Sequence, residues 1–228
     1  DGFFYRDHEP DNSFEALSRL QDDGDENLSE IIEDKCKLIT FYLPQYHRIP
    51  ENSMWWGSGF TEWTNVARGK PNFHGHHQPN VPRELGFYDL SYTDIMREQA
   101  EFAKLYGVYG FCFYHYWFSG RRILEKPVNN LLASDIDINF CLCWANENWT
   151  RTWDGDTKSV LLEQKYADGD AEAFIGSLID VFKDKRYIKM DGKPLLVVYR
   201  AMDIPDPKRW FRIWREHVME NGFPGLHI

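Results

Sequence analysis

The chain has 228 residues, a formal net charge of −10 and an aromatic content of 16%, including nine Trp. That length supports one sizeable core, or one domain with an appendage. An acidic chain without a basic stripe argues against nucleic-acid or anionic-membrane partners, and no 18-residue apolar run is present that would insert into a bilayer.

In chain order, residues 1–36 are acidic, with twelve Asp and Glu in the first 34 positions. They read as a linker or peripheral appendage, with one short helix around Phe14–Leu20 and no signal peptide. The organised domain is expected over residues 37–228. Leu38–Tyr42 (LITFY) reads as a strand ended by Pro44, followed by a loop carrying Gln45, Tyr46 and His47. Residues 51–90 are rich in Gly, Pro and aromatics without a sustained period, and read as a long functional excursion. Apolar spacing predicts a helix over Leu90–Tyr106, stopped at Gly107.

Val108–Phe118 (VYGFCFYHYWF) then reads as a strand buried on both faces, Glu125–Ala133 as a helix and Ile136–Trp144 as a third strand. A helix is expected over Asp170–Lys183, a fourth strand over Pro194–Tyr199, a helix over Pro207–Asn221 and the start of a strand at Phe223–Ile228. Alternating apolar strands and helices predict a parallel α/β sheet with right-handed crossovers. No glycine-rich turn follows the first strand, which weakens a dinucleotide-binding fold. The expected architecture is a (β/α)8 TIM-type barrel, of which these residues supply roughly the first half.

Four Cys occur, at 36, 112, 141 and 143. The last three sit in apolar runs and read as small buried side chains, which points to a reducing, cytoplasmic compartment. Cys141 and Cys143 lack the spacing of a zinc or redox motif. The HGHH run containing His74, His76 and His77 has no acidic partner at diagnostic spacing, and Asp154–Asp156 (DGD) lacks the remaining ligands of a calcium loop. No metal and no cofactor is expected.

The chemistry-bearing residues cluster just after the strands, where a (β/α) barrel gathers its site. Cys141–Gly155 (CLCWANENWTRTWDG) carries three indoles beside carboxylates and amides, a combination suited to stacking on sugar C–H faces and holding hydroxyls. Glu147 is the sharpest catalytic candidate, because flanking Trp side chains can strip its hydration and raise its pKa, as a general acid needs. The alternative is a buried carboxylate stitching two loops together. Trp144, Asn146, Arg151 and Asp154 are read as substrate contacts around it, Asp154 also fitting an ordinary turn. His115 and Trp117 form a further pair, with a structural histidine as the other reading. Strand alternation allows only one of the sets Tyr114/Tyr116 and His115/Trp117 to face the barrel axis. Gln45 and Tyr46 follow the first strand. Trp55, Trp56, Glu62 and Trp63 make a second aromatic–acid group, with Glu62 as a hydroxyl acceptor or loop brace.

Several of these segments resemble one family. FYLPQYH at 41–47, WWGSGFTEWTNV at 55–66, FHGHHQPNVP at 73–82, GFYDL at 86–90, FCFYHYWF at 111–118 and WANENWTRTWDG at 144–155 look like the WbsX family, related to the family 99 glycoside hydrolases, the endo-acting α-mannosidases and mannanases. The resemblance covers roughly residues 37–228. It implies a (β/α)8 barrel acting on oligosaccharide or polysaccharide substrates, in polysaccharide or lipopolysaccharide assembly, with fused glycosyltransferase domains as partners. It also implies that the main catalytic carboxylates lie in a Glu-Trp-Ala-Glu segment expected beyond Ile228, because no such segment occurs in these residues and neither Glu62-Trp63 nor Glu147 is its counterpart in order. Endo-α-mannosidase-type retaining hydrolysis, glycosyl transfer and noncatalytic glycan binding are the three functions it leaves open.

Overall fold

The computed structural model describes residues 36–151 and 156–228, and side chains for 36–150 and 160–228. The acidic segment 1–35, Asp154 and the side chain of Arg151 lie outside the described part. The compact unit is Leu38–Ile228. Its elements begin with β1 (Leu38–Tyr42), α1 (Pro50–Trp56), α2 (Glu62–Arg68), α3 (Thr93–Leu105), β2 (Val108–Phe118), β3 (Arg121–Ile123), α4 (Lys126–Leu132) and β4 (Asn139–Trp144). They continue with β5 (Trp149–Arg151), β6 (Asp156–Leu162), α5 (Asp170–Gly176), α6 (Ile179–Phe182), β7 (Lys189–Met190), β8 (Lys193–Pro194), β9 (Leu196–Val198) and α7 (Pro207–Glu220).

Four strands lie side by side in chain order, β1-β2-β4-β9, all parallel. The register runs Tyr42↔Phe113↔Leu142↔Leu196 across the sheet. His227 bridges in parallel to Leu195, so the last residues add to the outer side of β9. Sequential order is what successive (β/α) units produce. The described residues form an open sheet, however, and do not close an eight-stranded barrel.

Alternation along the strands decides which side chains meet the helices. Phe111, Phe113 and Trp117 of β2, with Phe140, Leu142 and Trp144 of β4, belong to the main core. Trp144 is fully buried, stacks on Phe174 of α5 at 4.4 Å between ring centroids, and meets Trp210 and Trp214 of α7 at 5.8 Å each. Its indole N–H donates to the Trp117 carbonyl at 3.3 Å. An indole buries roughly 150–250 Å². At about 25 cal/mol per Å², that stabilises the layer by about 4–6 kcal/mol before entropy is counted.

Three elements depart from the sequence expectation. Residues 51–90 are not a featureless excursion, because α1 and α2 form within them. Each has only seven residues, too short to display a helical period, and α1 starts with Pro50 at its first position, where the missing N–H costs nothing. The helix expected over Asp170–Lys183 divides between α5 and α6 around Ser177 and Leu178. A two-residue turn at Ser119 (φ 44°) and Gly120 (φ 91°) folds β3 back antiparallel onto β2. That hairpin helps build a small second apolar cluster of Ile49, Tyr116, Phe118, Ile123, Leu124 and Ala145 at the carboxyl ends of the strands.

Candidate functional site

A cavity of about 290 Å³ opens at those carboxyl ends, where parallel α/β sheets bind ligands. Gln45 reaches it from the loop after β1, Tyr116 from β2, and Glu147, Asn148, Trp149 and Thr150 from the segment after β4. Asn52 and Trp56 of α1, Glu62 of α2 and Leu161 of β6 complete the wall. Two carboxyl groups, three amides, a phenol and two indoles thus share one small space.

Local structure fixes the position of Glu62. Thr61 caps α2 reciprocally: its side chain accepts from the Thr64 N–H, and its own N–H donates to Thr64 Oγ1 at 3.3 Å. Glu62 is therefore the first helical residue, and it is buried. Burial pushes its carboxyl pKa up to about 7, with the neighbouring Asn65 amide opposing. Among the described residues, no Lys or Arg forms an ion pair with it.

Glu147 has a different environment. Its Oε2 accepts from Arg200 Nε at 3.0 Å, and both side chains are partly exposed. Arg200 in turn is held through its backbone, with Asn146 Nδ2 donating to its carbonyl and its N–H donating to Asn146 Oδ1, both at 2.8 Å. Asn146 is buried and also donates to Tyr166 Oη at 3.1 Å. It is a clamp between two loops, and it contributes no wall to the cavity.

Tyr116 lies close enough to Glu62 and Glu147 for both charges, behind burial, to push its phenol pKa up. Gln45 Nε2 donates to Tyr116 Oη at 2.8 Å, which leaves the phenolic hydrogen to be given elsewhere. Trp149 packs edge-on against Tyr116 (5.3 Å) and Trp55 (5.6 Å), so Trp55 backs the cavity wall.

The structure thus gathers Gln45, Glu62 and Glu147 from the expected set, sets Trp55 behind the wall, and places Tyr46, Trp63, His115, Trp117, Trp144 and Asn146 outside the cavity lining. Trp117 and Trp144, at 1% and 0% exposure, are core residues turned towards α5, so the expected sugar contacts are corrected to packing roles. His115 shares their strand face, is buried beside Phe174, and has no hydrogen-bond partner for Nε2. Burial lowers its pKa to about 3, aided by Arg122, so it is a neutral core histidine. Tyr46 and Trp63 pack on each other at 4.5 Å, and the Trp63 N–H donates to the Tyr88 carbonyl at 2.7 Å, bracing α2 against the loop before α3. Burial, with Glu62 adding, raises the Tyr46 pKa. Of the other wall residues, Trp56 belongs to the aromatic–acid group with Trp55, Glu62 and Trp63, Tyr116 to one of the two alternative strand faces, and Asn148 and Trp149 to the indole-rich segment after β4, whereas Asn52 carries no sequence signal. Strand parity favours Tyr116, since Phe111, Phe113 and Trp117 are the apolar set that a helix layer buries.

Among the described residues no group of His, Cys, Asp or Glu is arranged to hold a metal, and no helix is long and apolar enough to cross a membrane.

Comparison with known proteins adds the family. The chain is 47% identical over 192 residues to the uncharacterized protein WxcX of Xanthomonas campestris pv. campestris, a match covering 84% of this chain and 28% of that protein. It therefore spans little more than a quarter of that relative. Among solved structures, the endo-alpha-mannosidase of glycoside hydrolase family 99 from Bacteroides thetaiotaomicron aligns with a TM-score of 0.45 and 17% identity, over 73% of this chain and 46% of that one. A glycoside hydrolase-like protein aligns with a TM-score of 0.49 and 15% identity, over 84% and 50%. The family profile described as Glycosyltransferase WbsX matches residues 38–228, the whole of the compact unit. The chain belongs to the WbsX glycosyltransferase family, a carbohydrate-active family.

Proposed function

We propose that the cavity is part of the glycan cleft of an enzyme that acts on glycosidic bonds, of the endo-α-mannosidase-type retaining class that the sequence motifs resemble. The observation that carries this reading is the convergence of Glu62, Glu147, Tyr116, Gln45 and the indoles of Trp56 and Trp149 on one cavity of about 290 Å³. Indole faces stack on sugar rings, while carboxylates, amides and a phenol match the alternating donors and acceptors of hydroxyl groups. In this reading Glu147, kept in place by Arg200, accepts from a sugar hydroxyl, and the aromatic wall excludes water from the bond being cut. Arg151 and Asp154 remain proposed substrate contacts. The principal catalytic carboxylates belong to the Glu-Trp-Ala-Glu segment that the resemblance implies.

A second reading, glycosyl transfer, is favoured by the description of the family itself. Incubating the full-length protein with mannose-containing oligosaccharides, with and without nucleotide-sugar donors, separates the two. Hydrolytic products without a donor support the first reading, and elongated products that require a donor support the second. Absence of cleavage and of transfer across such glycans, with sugar binding retained, would leave a glycan-binding domain.

A further inference from the structure

Two acidic side chains meet in the cavity, and their surroundings differ. Glu147 has a guanidinium at 3.0 Å, supplied by Arg200, and access to water. Glu62 is buried at the start of α2, in a wall completed by Trp56, Trp149 and Leu161. A low-dielectric space that holds two carboxyl groups and compensates only one favours the neutral form of the other. Among the described residues, the titratable groups around Glu62 are Tyr46 from the loop after β1, Tyr116 from β2, and Glu147 from the segment after β4. None of the three brings a positive charge to it.

We propose that Glu62 stands protonated in the ligand-free protein and donates a hydrogen bond to an oxygen of the sugar, while Glu147, paired with Arg200, accepts one. Glu62 is thus a specificity-determining residue of the cleft, and the inference rests on the glycan reading of the cavity. The ligand it selects is an uncharged pyranose. A neutral carboxyl and the Tyr116 hydroxyl give hydrogen, while Glu147 and the Gln45 carbonyl oxygen receive it. A uronate or sugar phosphate would place a second anion beside Glu147, and Arg200, its ion-pair partner among the described residues, is already engaged. The raised pKa of Glu62, about 7, agrees with this division of roles.

The consequence is a pH dependence with a defined sign. If only the protonated form binds, affinity is full below the pKa of Glu62 and falls about tenfold between pH 6 and pH 8 for a group titrating near 7. The experiment has two arms, both on the full-length protein. In the first, carboxyl infrared bands of the ligand-free protein are followed from pH 4 to 9 in the wild type, Glu62→Gln and Glu147→Gln. The expected result is one carboxyl group that titrates near neutrality, lost in Glu62→Gln and kept in Glu147→Gln. Absence of any such group, or its persistence in Glu62→Gln, overturns the proposal whether or not a glycan binds.

In the second arm, an α-linked mannobiose is titrated at pH 6, 7 and 8. Glu62→Gln, whose amide still donates but does not ionise, is expected to bind with a flat pH profile, and Glu62→Ala to bind at least tenfold more weakly at pH 6. An unchanged pH slope in Glu62→Gln overturns the proposal. A neutral-range carboxyl in the first arm with no mannobiose binding by the wild type counts against the glycan reading, and the protonation of Glu62 stands.

Discussion

His115 tests the assignment of β2 most sharply, because its burial converts directly into a pH-dependent stability. Its Nε2 lacks a partner, its ring faces Phe174, and burial with help from Arg122 lowers its pKa from 6.5 to about 3. The folded state therefore binds the proton less readily than the unfolded chain. The contribution to stability is complete above the unfolded pKa of 6.5 and is lost as pH falls towards the folded value. At about 1.36 kcal/mol per unit, the whole shift corresponds to about 5 kcal/mol, of which about 2 kcal/mol is already lost at pH 5. The perturbation is His115→Leu, which keeps the volume and removes the titration. Urea unfolding of the wild type and the variant at pH 7.5 and pH 5 provides the assay. The wild type is expected to lose about 2 kcal/mol more than His115→Leu between those values. Equal losses, or an imidazole that titrates near 6.5 by NMR in the folded protein, would refute the placement of His115 in the core.

Three further predictions concern the scaffold. A Cβ at Gly110 would lie 2.5 Å from the Asn139 carbonyl oxygen of the neighbouring strand, so Gly110→Ala is expected to cost about 1–3 kcal/mol in urea unfolding. Gly176→Ala, a helical position where an added Cβ would make only an ordinary 3.5 Å contact with His217 Nε2, is expected to gain a few tenths of a kcal/mol up to about 1. Arg186 donates to both Asp184 oxygens and to the carbonyls of Leu131, Ser134 and Ile136, tying the end of α4 to the approach to β4. Arg186→Met strands these acceptors and is expected to cost about 3–5 kcal/mol. Asp184, held below the usual carboxylate range mainly by hydrogen bonds from Arg186, should then titrate higher by NMR. An Arg186→Met protein as stable as the wild type would show that the knot is dispensable.

The strands were legible because their apolar runs are continuous. Val108–Phe118 and Asn139–Trp144 are covered on both faces, and such runs announce parallel pairing. The helices α1 and α2 were not legible, since seven residues carry too few turns for a period, and their stability comes from packing such as Trp63 on Tyr46. The cavity lies just after the strands, where the expected residues cluster in the sequence, but only some of those residues line it. Indole density drew attention to Trp144, but the strand continues through that position, and its parity with Phe140 and Leu142 turns the ring to the helices. Glu147 and Trp149 lie past the strand end, where the chain is free to face the cavity. The same parity places Tyr116 at the cavity and His115 behind it. Glu62 was noticed as an acid beside Trp63, but its burial follows from the capping by Thr61 and from contacts distant in sequence.

A glycan bound in the cavity at the carboxyl ends of the strands would draw its affinity from the residues that line it. Calorimetric titration of the full-length protein with a mannose-containing oligosaccharide tests it most directly, using Trp149→Ala and Glu147→Gln as cavity variants and the exposed Asp180→Asn on α6 as a control. Binding is expected to the wild type and Asp180→Asn alike, weakened at least tenfold in both cavity variants. Equal affinity in all four proteins would contradict it.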